Sequence, residues 1–131
     1  MTKILIRRLS EEVLLPKYET SGSSGMDVAA FIEKDVAIKP GEKALIPSGF
    51  SVSIPEGFEI QIRPRSGLAV KKGISVLNTP GTIDADYRGE IKILLINLSK
   101  ETFIVENGTR IAQMVVCPVV QAKLKEVEEL S

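Results

Sequence analysis

Phe58-Glu59-Ile60-Gln61-Ile62-Arg63 alternates apolar and polar side chains along its whole length. Successive side chains of a β-strand point to opposite faces of the sheet, so a period of two places the three apolar residues on one face. The three polar residues then lie on the other face. The segment therefore predicts a strand with one face in a core and the other face exposed.

Short apolar segments separated by turn signals continue this pattern on both sides. Further strands are predicted at residues 36–38, 44–46, 51–54, 91–96, 103–105 and 111–120. The segment 91–96 is apolar on both faces, so we expect it to be covered on both sides. Gly after Pro, Glu or Asn marks the turns near residues 41, 57, 81 and 108. Many short strands with regular turns predict an all-β sandwich, jelly roll or barrel, in one domain over residues 1–131.

The composition excludes several kinds of chemistry. Seventeen Lys and Arg residues balance seventeen Asp and Glu residues, and this zero net charge argues against a general nucleic-acid binder. The chain has no histidine, which removes Ser-His-Asp and Cys-His catalysis and zinc sites that use imidazole. The single cysteine, Cys117, excludes an internal disulfide, and its apolar neighbours predict a buried, unreactive thiol.

Neither end of the chain predicts targeting to a membrane. No apolar run reaches the roughly 18 residues that a membrane helix needs. Arg7 and Arg8 interrupt the first apolar stretch too early for a secretory signal. We therefore expect a cytoplasmic protein with no membrane partner. Residues 123–131 fit either a final strand or a frayed tail.

One segment departs from the strand pattern and predicts a short helix that starts at Ser66. Ser66 suits the N-cap position, and Lys71 and Lys72 suit the last turn. Gly73 can take the left-handed conformation that ends a helix. Arg65 precedes the helix, where a guanidinium and free N–H groups can converge on an anion. A capped surface helix with a solvated Arg65 is the alternative.

Without histidine, catalysis would rest on carboxylates, Lys, Arg, Ser, Tyr or a metal ion. The densest set of candidates is the segment 81–90, with Asp84, Asp86, Tyr87 and Arg88. An ionised aspartate can act as a base towards a positioned water, and carboxylate oxygens suit Mg²⁺. A hairpin turn would also use Asp and Gly, so these residues alone leave both interpretations open.

Two further polar residues lie outside this segment. Asp27 follows a Gly-Ser turn, where Asp is common, so its position alone is a weak signal. Gln113 lies among the apolar residues of the segment 111–120 and would need a hydrogen-bond partner there. That need predicts a ligand or a subunit interface beside Gln113.

Four segments together resemble the trimeric dUTPase family. They are Ser24-Gly25-Met26-Asp27-Val28-Ala29-Ala30, Pro64-Arg65-Ser66-Gly67-Leu68-Ala69, Gly81-Thr82-Ile83-Asp84-Ala85-Asp86-Tyr87-Arg88-Gly89 and Arg110-Ile111-Ala112-Gln113. They follow the order and spacing of the first four of the family's five motifs. Each motif alone is modest, but four in order over about 90 residues cover most of the chain. This order favours functional roles for Arg65, Asp84 and Gln113.

The resemblance implies a jelly-roll β-barrel that assembles as a homotrimer, with active sites between subunits. It also implies Mg²⁺-dependent hydrolysis of dUTP to dUMP and pyrophosphate, which keeps uracil out of DNA. On this template Asp84 activates the water that attacks the α-phosphorus, and Asp27 lies near the metal, which it contacts through water. Mg²⁺ and Arg65 would meet the phosphate charge, so no net basic charge and no DNA or RNA partner is expected.

The remaining site residues are implied by the same resemblance. Arg65, Ser66 and Gly67 hold phosphates at the start of the short helix, and Gln113 contacts the phosphate region. Tyr87 packs against the deoxyribose, where a 2′-hydroxyl would clash. The uracil pocket is lined by Asn78, by the backbone of Thr82, Ile83 and Asp84, and by the backbone of Lys92.

The family's fifth motif, a Gly-rich C-terminal segment with an Arg and a Phe, is absent from this sequence, which ends at Ser131. In the family that segment folds over the bound nucleotide from a neighbouring subunit. A lid of this kind excludes water and completes the phosphate contacts. We therefore expect this chain to bind dUTP and to hydrolyse it slowly.

Two alternatives remain open. The first is a dCTP deaminase, or a bifunctional deaminase of the same fold. It would need a Glu against the pyrimidine, for which Glu90 is the nearest candidate, but Asp84 followed by Tyr87 favours the dUTPase. The second is a non-catalytic trimer that binds a nucleotide and releases no pyrophosphate.

Overall fold

The computed structural model describes residues 2–131 and contains eleven short strands and one helix. The strands are β1 (Leu5–Arg8), β2 (Gly25–Ala29), β3 (Val36–Ile38), β4 (Lys43–Pro47), β5 (Phe50–Ser53), β6 (Phe58–Arg63), β7 (Ile74–Val76), β8 (Gly81–Ile83), β9 (Lys92–Asn97), β10 (Phe103–Val105) and β11 (Arg110–Pro118). The helix, α1, spans Ser66–Lys72. The prediction of an all-β domain with one short helix is confirmed.

Antiparallel pairing arranges the strands in four small sheets. The largest has the order β2-β11-β6-β8, and a second has the order β4-β9-β7. The pairs β1–β5 and β3–β10 complete the arrangement. Neighbouring strands are always separated in sequence by at least one other strand. This topology resembles a jelly roll, in which long connections rather than hairpins bring strands together.

Strand β6 has the alternation that its sequence predicts. Ile60 and Ile62 are buried, whereas Glu59, Gln61 and Arg63 are half-buried on the other face. Those three polar side chains bond to one another: Gln61 donates to Glu59 at 2.7 Å, and Arg63 donates to Gln61 at 2.9 Å. The polar side chains on the outer face of β6 are therefore joined by hydrogen bonds along the strand.

One continuous core lies between the sheets. Its largest fully buried side chains include Phe50, Ile38, Ile46, Ile60, Ile62, Ile74, Ile91, Ile93, Leu95 and Ile111. Burial of apolar area on this scale is the main favourable contribution to the stability of the fold. In the segment 91–96 one face is fully buried, but Leu94 and Ile96 on the other face are only half-buried. Cover of that segment on both sides is thus partial.

A buried polar residue, Asn97, links strands that are distant in sequence. It is fully buried at the end of β9. Its Nδ2 donates to the Ile38 carbonyl and to the Glu101 carbonyl, both at 2.8 Å. Its Oδ1 accepts from the Ser99 N–H at 2.9 Å and from the Ser99 hydroxyl at 2.7 Å. Every polar atom of the amide is satisfied, as burial requires.

Helix α1 ends as predicted but does not begin as predicted. Gly73 adopts a left-handed conformation with φ of 65° and donates to the Ala69 carbonyl at 3.0 Å. Lys71 and Lys72 lie in the last turn. The prediction that Ser66 caps the N-terminus is wrong, because Arg65 occupies the N-cap position and makes no side-chain capping bond. Ser66 is the first helical residue instead.

Other sequence-based expectations also need correction. Strands β1, β2, β7 and β8 were not predicted from the sequence, although the equally short β3 and β10 were. Residues 119–131 contain no helix or strand and are exposed, so residues 123–131 do not form a final strand in this structure. Within residues 2–131, no helix is long and apolar enough to span a membrane.

The single cysteine is less buried than predicted. Cys117 is half-buried on the polar face of β11. Its Sγ lies 3.7 Å from Nη2 of Arg63 and 3.8 Å from the Val115 carbonyl oxygen. Cys117 lies directly opposite Glu59 in the pairing of β11 with β6. Its side chain is therefore on the same side of the sheet as the polar residues of β6, away from the core.

Candidate active site

An acidic side chain and two basic side chains meet beside β2. Nε of Arg65 lies 3.2 Å from Oδ1 of Asp27, and Nη1 of Arg110 lies 3.7 Å from Oδ2. Arg65 also donates from Nη1 to the Arg110 carbonyl at 3.1 Å. The side chains of Asp27 and Arg65 are 21% and 36% exposed, so a ligand can still reach both.

Strand register brings Gln113 to the same place. On β11, Gln113 lies opposite Asp27 of β2 on one side and Arg63 of β6 on the other. Its Nε2 donates to the Pro64 carbonyl at 3.0 Å, just before α1. A Cβ on Gly25 would overlap Oε1 of Gln113, so a larger residue there would displace this amide. The partner that Gln113 needs is therefore a backbone carbonyl, and the amide is held next to Arg65.

Ser66 and Gly67 start α1 directly after Arg65, and both are exposed. The Ala69 N–H donates to the Arg65 carbonyl at 3.0 Å, which closes the first turn. The N–H groups of Ser66, Gly67 and Leu68 precede the first helical hydrogen bond, so the helix itself offers them no acceptor. The structure thus places Arg65, Ser66, Gly67, Gln113 and Asp27 in one group, which we call the Arg65 group.

A second group is formed by the loop between β8 and β9. Ile83 at the end of β8 pairs with Ile60 of β6, and Asp84 follows as an exposed residue. The Tyr87 N–H donates to the Asp84 carbonyl at 3.1 Å, and the Arg88 guanidinium donates to the Ala85 carbonyl at 2.6 Å. These bonds fold the loop into a compact turn that presents the Asp84 carboxylate to solvent.

Tyr87 folds back across this loop. Its hydroxyl donates to the Glu90 carbonyl at 2.9 Å. A Cβ on Gly89 would lie 2.6 Å from the Tyr87 hydroxyl oxygen, so the ring can occupy this position only over a glycine. Tyr87 is 43% exposed, which leaves much of the ring open to a ligand.

A groove of about 530 Å³ runs along the loop. Among the residues that line it are five of those predicted from the sequence: Thr82, Ile83, Asp84, Tyr87 and Lys92. We call these five residues the Asp84 group. A wider cleft of about 810 Å³ also reaches Asp84, so the carboxylate borders two open spaces.

Asn78 is not among the residues that line that groove. It is an exposed residue in the β7–β8 connection. Its side-chain atoms lie 3.5 Å and 3.6 Å from where a Cβ on Gly81 would stand, which places Asn78 at the start of β8. Asp84 follows the other end of that strand.

The Arg65 group and the Asp84 group lie far apart in one copy of the chain. Strands β2 and β8 are three positions apart in the sheet, and the register offsets Asp84 from Asp27 by about four residues along the strands. At 4.8 Å between strands and 3.3 Å per residue, this separates the Cα atoms of the two residues by about 20 Å on a flat sheet.

The carboxylates offer little to a metal ion by themselves. Among residues 2–131, no three His, Cys, Asp or Glu side chains converge as a metal-binding cluster. Asp27 is already paired with Arg65 and Arg110. Mg²⁺ commonly keeps several waters and uses one or two carboxylates together with substrate phosphates. The residues present therefore fit a Mg²⁺ ion that phosphates bring with them, and not one held by protein alone.

Sequence reasoning missed contacts that the structure shows. Arg110 had no assigned role, yet it pairs with Asp27 and, at 3.3 Å, with Glu19. Glu90 accepts the Gly49 N–H through Oε2 at 2.8 Å and so ties the loop to the β4–β5 turn. Because Gly49 and Glu90 are 41 positions apart, no local pattern could pair them.

Comparison with known proteins relates these features to a family. The sequence pattern of the dUTPase family matches residues 11–131. A deoxyuridine 5′-triphosphate nucleotidohydrolase of Nautilia profundicola is 57% identical over 129 residues, covering 98% of this chain and 89% of that protein. One of the same name from Chlamydia muridarum is 61% identical over 115 residues, covering 88% of this chain and 79% of that protein.

Solved structures agree with these relatives. The dUTPase from phage phi11 of S. aureus superposes with a TM-score of 0.87 at 27% identity, over 98% of this chain and 97% of that one. A mutant dUTPase of Staphylococcus bacteriophage 80alpha with dUpNHpp gives 0.84 at 27% identity, over 99% of both chains. The predicted dUTPase-like fold is confirmed. The match over residues 11–131 and these likenesses over nearly the full length show that the chain belongs to the dUTPase family.

Proposed function

We propose that this chain hydrolyses dUTP to dUMP and pyrophosphate and so limits the supply of uracil for DNA. The observation that carries this proposal is the groove in which Thr82, Ile83, Tyr87 and Lys92 adjoin the carboxylate of Asp84. A nucleoside-sized space beside an exposed carboxylate is what hydrolysis of a nucleotide requires. The relatives described above carry the name of this activity.

The groove suits selection of uracil by backbone groups. The end of β8 offers N–H and C=O groups at fixed spacing, and we assign the backbone of Thr82, Ile83 and Asp84 to the base, with that of Lys92 and with Asn78. Uracil and cytosine present reversed donor and acceptor patterns at positions 3 and 4. A pocket that pairs with one base leaves buried polar groups unpaired with the other, which discriminates strongly.

Tyr87 forms the wall against which the sugar packs. Its hydroxyl is bonded to the Glu90 carbonyl, so the ring is held by both its ends. A ring fixed in this way leaves no room for a 2′-hydroxyl on the sugar that it contacts. We therefore assign to Tyr87 the discrimination between dUTP and UTP.

Asp84 is the proposed catalytic base. Its carboxylate is exposed at the rim of the groove and can take a proton from a water placed next to the α-phosphorus. Displacement at phosphorus depends mainly on positioning and on stabilisation of charge, so an aspartate of ordinary basicity suffices. The attack breaks the bond between the α-phosphorus and the bridging oxygen, and pyrophosphate leaves.

The Arg65 group is proposed to bind the phosphates. Arg65 supplies a guanidinium, Ser66 and Gly67 supply N–H groups at the start of α1, and Gln113 supplies an amide held at 3.0 Å from Pro64. Mg²⁺, when bound with the nucleotide, neutralises phosphate charge. Asp27 would hold that ion through its waters. Asp27 is also paired with the guanidinium groups of Arg65 and Arg110, which keeps its carboxylate beside the proposed phosphate site.

The separation of about 20 Å between the two groups supports an active site shared between copies of the chain. We propose a homotrimer in which the Asp84 group of one subunit faces the Arg65 group of the next. Closed symmetry of this kind gives three equivalent sites. Asp84 and Tyr87 then act on a nucleotide whose phosphates the neighbouring subunit binds.

The rival interpretation as a deaminase is weakened by the position of Glu90. Its Oε2 accepts the Gly49 N–H at 2.8 Å, so the carboxylate is directed at the β4–β5 turn. A deaminase would need that carboxylate against the pyrimidine. The non-catalytic alternative leaves the exposed Asp84 without a role.

Release of pyrophosphate tests the proposal. The protein is incubated with dUTP, dCTP, dTTP or UTP in Mg²⁺ at high enzyme concentration, and ammonia is measured in parallel. We expect pyrophosphate from dUTP alone and no ammonia from dCTP. Ammonia release would establish the deaminase. Tight binding of dUTP without any pyrophosphate would establish the non-catalytic module.

A further inference from the structure

We propose that Glu90 is a positioning residue for substrate selection. Its carboxylate accepts the Gly49 N–H and so helps to hold the Glu90 backbone, whose carbonyl accepts the Tyr87 hydroxyl. This inference rests on the proposed function, since it takes Tyr87 as the wall facing the sugar. Glu90 lines the groove, but its carboxylate is bonded to the Gly49 N–H and is assigned no contact with the sugar or the phosphates. Its effect would pass entirely through the position of the Tyr87 ring.

The bonds inside the β8–β9 loop fix its shape but not its placement on the domain. The Tyr87 N–H bonds to the Asp84 carbonyl, and the Arg88 guanidinium bonds to the carbonyls of Ala85 and Tyr87. All of these partners belong to the loop. The Tyr87 hydroxyl bonds to the Glu90 carbonyl, at the end where the loop joins the core. The placement of Glu90 therefore sets the placement of the phenol.

The carboxylate of Glu90 is attached to a rigid turn. It accepts the Gly49 N–H at 2.8 Å, and the Gly49 carbonyl in turn accepts the Leu9 N–H at 2.8 Å. Gly49 is buried with φ of 80°, and a Cβ there would overlap Val13 and Phe31. A residue larger than glycine is therefore not tolerated at position 49. The anchor point for Glu90 thus has little freedom to move.

A second anchor follows directly in the sequence. The Ile91 N–H donates to the Phe50 carbonyl at 2.9 Å, and the Ser48 N–H donates to the Ile91 carbonyl at 3.1 Å. The Ile91 N–H lies in the same peptide plane as the Glu90 carbonyl, so that carbonyl points away from Phe50. The backbone bond orients the peptide, and the carboxylate bond holds the residue. Loss of the carboxylate leaves these backbone bonds in place, so it should loosen the ring without unfolding the loop.

The chemistry of the anchor predicts which substitutions matter. Gly49 needs an acceptor at the length of a Glu side chain, and a carboxamide oxygen supplies one equally well. Glu90→Gln should therefore keep the ring in place. Glu90→Ala removes the acceptor, and Glu90→Asp withdraws it by one methylene. Both should free the ring, and Glu90→Asp provides a second test should the alanine variant fail to fold.

The first measurement is the ratio of kcat/KM for dUTP to kcat/KM for UTP. We expect Glu90→Ala and Glu90→Asp to lower this ratio about tenfold, as a misplaced contact does, and Glu90→Gln to stay near the parent value. In a Tyr87→Phe background, which lacks the hydroxyl, Glu90→Ala should add little. An unchanged ratio in Glu90→Ala, or fully additive effects in the double variant, would overturn the proposal.

The second measurement needs no nucleotide. The chain has two tyrosines and no tryptophan, so Tyr87 is the sole strong fluorophore once Tyr18 is replaced by Phe. Glu90→Ala should add a fast component to the anisotropy decay of Tyr87, and Glu90→Gln should not. An unchanged decay in Glu90→Ala would refute the positioning role. Failure of the parent protein to release pyrophosphate would instead refute the proposed function, whatever the decay shows.

Discussion

Nε of Arg65 lies 3.2 Å from Oδ1 of Asp27, which pairs the start of α1 with strand β2. Arg110 approaches the same carboxylate at 3.7 Å. A triphosphate arriving here would meet two guanidinium groups and one carboxylate. The carboxylate holds Arg65 in place and reduces the repulsion between the two cations.

Replacement of Arg65 should weaken phosphate binding. We expect Arg65→Ala to lower the affinity for pyrophosphate and a non-hydrolysable dUTP analogue by about 10-fold to 100-fold, since a hydrogen bond between charged groups is lost. Arg65→Lys should recover little, because an ammonium cannot pair with Asp27 and a phosphate in the same planar geometry. Calorimetry measures both affinities. The matched control is Arg7→Ala, an exposed arginine on β1. Equal losses in the two alanine variants would contradict the assignment.

Asp84→Asn should remove turnover and keep binding. The amide cannot accept the proton of the attacking water, and loss of a general base typically costs about 10²-fold to 10⁴-fold in kcat. Pyrophosphate release and calorimetric affinity for dUTP are the two readouts. Asp86→Asn is the control, since Asp86 is exposed in the same loop. If Asp84→Asn retained activity within a few-fold, another group would be the base.

Tyr87→Ala should narrow the preference for dUTP over UTP. Removal of the ring opens space for a 2′-hydroxyl, and we expect the ratio of kcat/KM values to fall by about tenfold or more. Tyr87→Phe keeps the ring over Gly89 but loses the hydroxyl bond to the Glu90 carbonyl, so its preference should fall about as far as that of Glu90→Ala. The measurement is steady-state kinetics on both nucleotides. A preference that survived in Tyr87→Ala would place sugar selection elsewhere.

Asn97 should be important for stability and unimportant for catalysis. Asn97→Ala would leave the Ile38 and Glu101 carbonyls without their donor. Burial of unpaired polar groups should lower the free energy of unfolding by about 2–4 kcal/mol. Asn107→Ala is the control, because exposed Asn107 makes one such bond, to the Ile32 N–H at 2.9 Å, and should cost about 1 kcal/mol. Urea unfolding measures both, and equal costs would argue against the network.

Local sequence patterns predicted strands that carry an apolar run or an alternation of apolar and polar residues. Strand β6 carries six alternating residues and was predicted with its correct buried face. The short strands β7 and β8 were missed, because pairing with β9 and β6 holds them in place rather than their own sequence. The contacts of Asn97 and Glu90 were missed for a related reason. Their partners Ile38 and Gly49 are 59 and 41 positions away.

The candidate site likewise has one part that the local sequence indicated and one part that depends on distant residues. The Asp84 group occupies nearly contiguous positions, so the residues alone indicated a cluster there. Proximity of Asp27 to Arg65 depends on the register between β2 and β11 and on the Pro64 connection. Periodicity cannot supply such a register, and only the resemblance to a known family placed these residues in one site.

Mixing two inactive variants tests whether the site is shared between subunits. In an Asp84→Asn subunit the Arg65 group is intact, and in an Arg65→Ala subunit the Asp84 group is intact. If each site combines one group from each of two neighbours, random co-assembly in equal amounts restores about one quarter of all sites and about one third of the sites in trimers that contain both variants. Co-expression of the two variants with different affinity tags, followed by tandem purification and pyrophosphate assay, measures the recovery. A double variant with both changes in one chain, co-expressed with the parent protein, is the control for tag and assembly effects. Absence of recovery from mixed particles that contain both tags would show that one subunit supplies both groups, and would force a rearrangement that closes the distance of about 20 Å between Asp27 and Asp84.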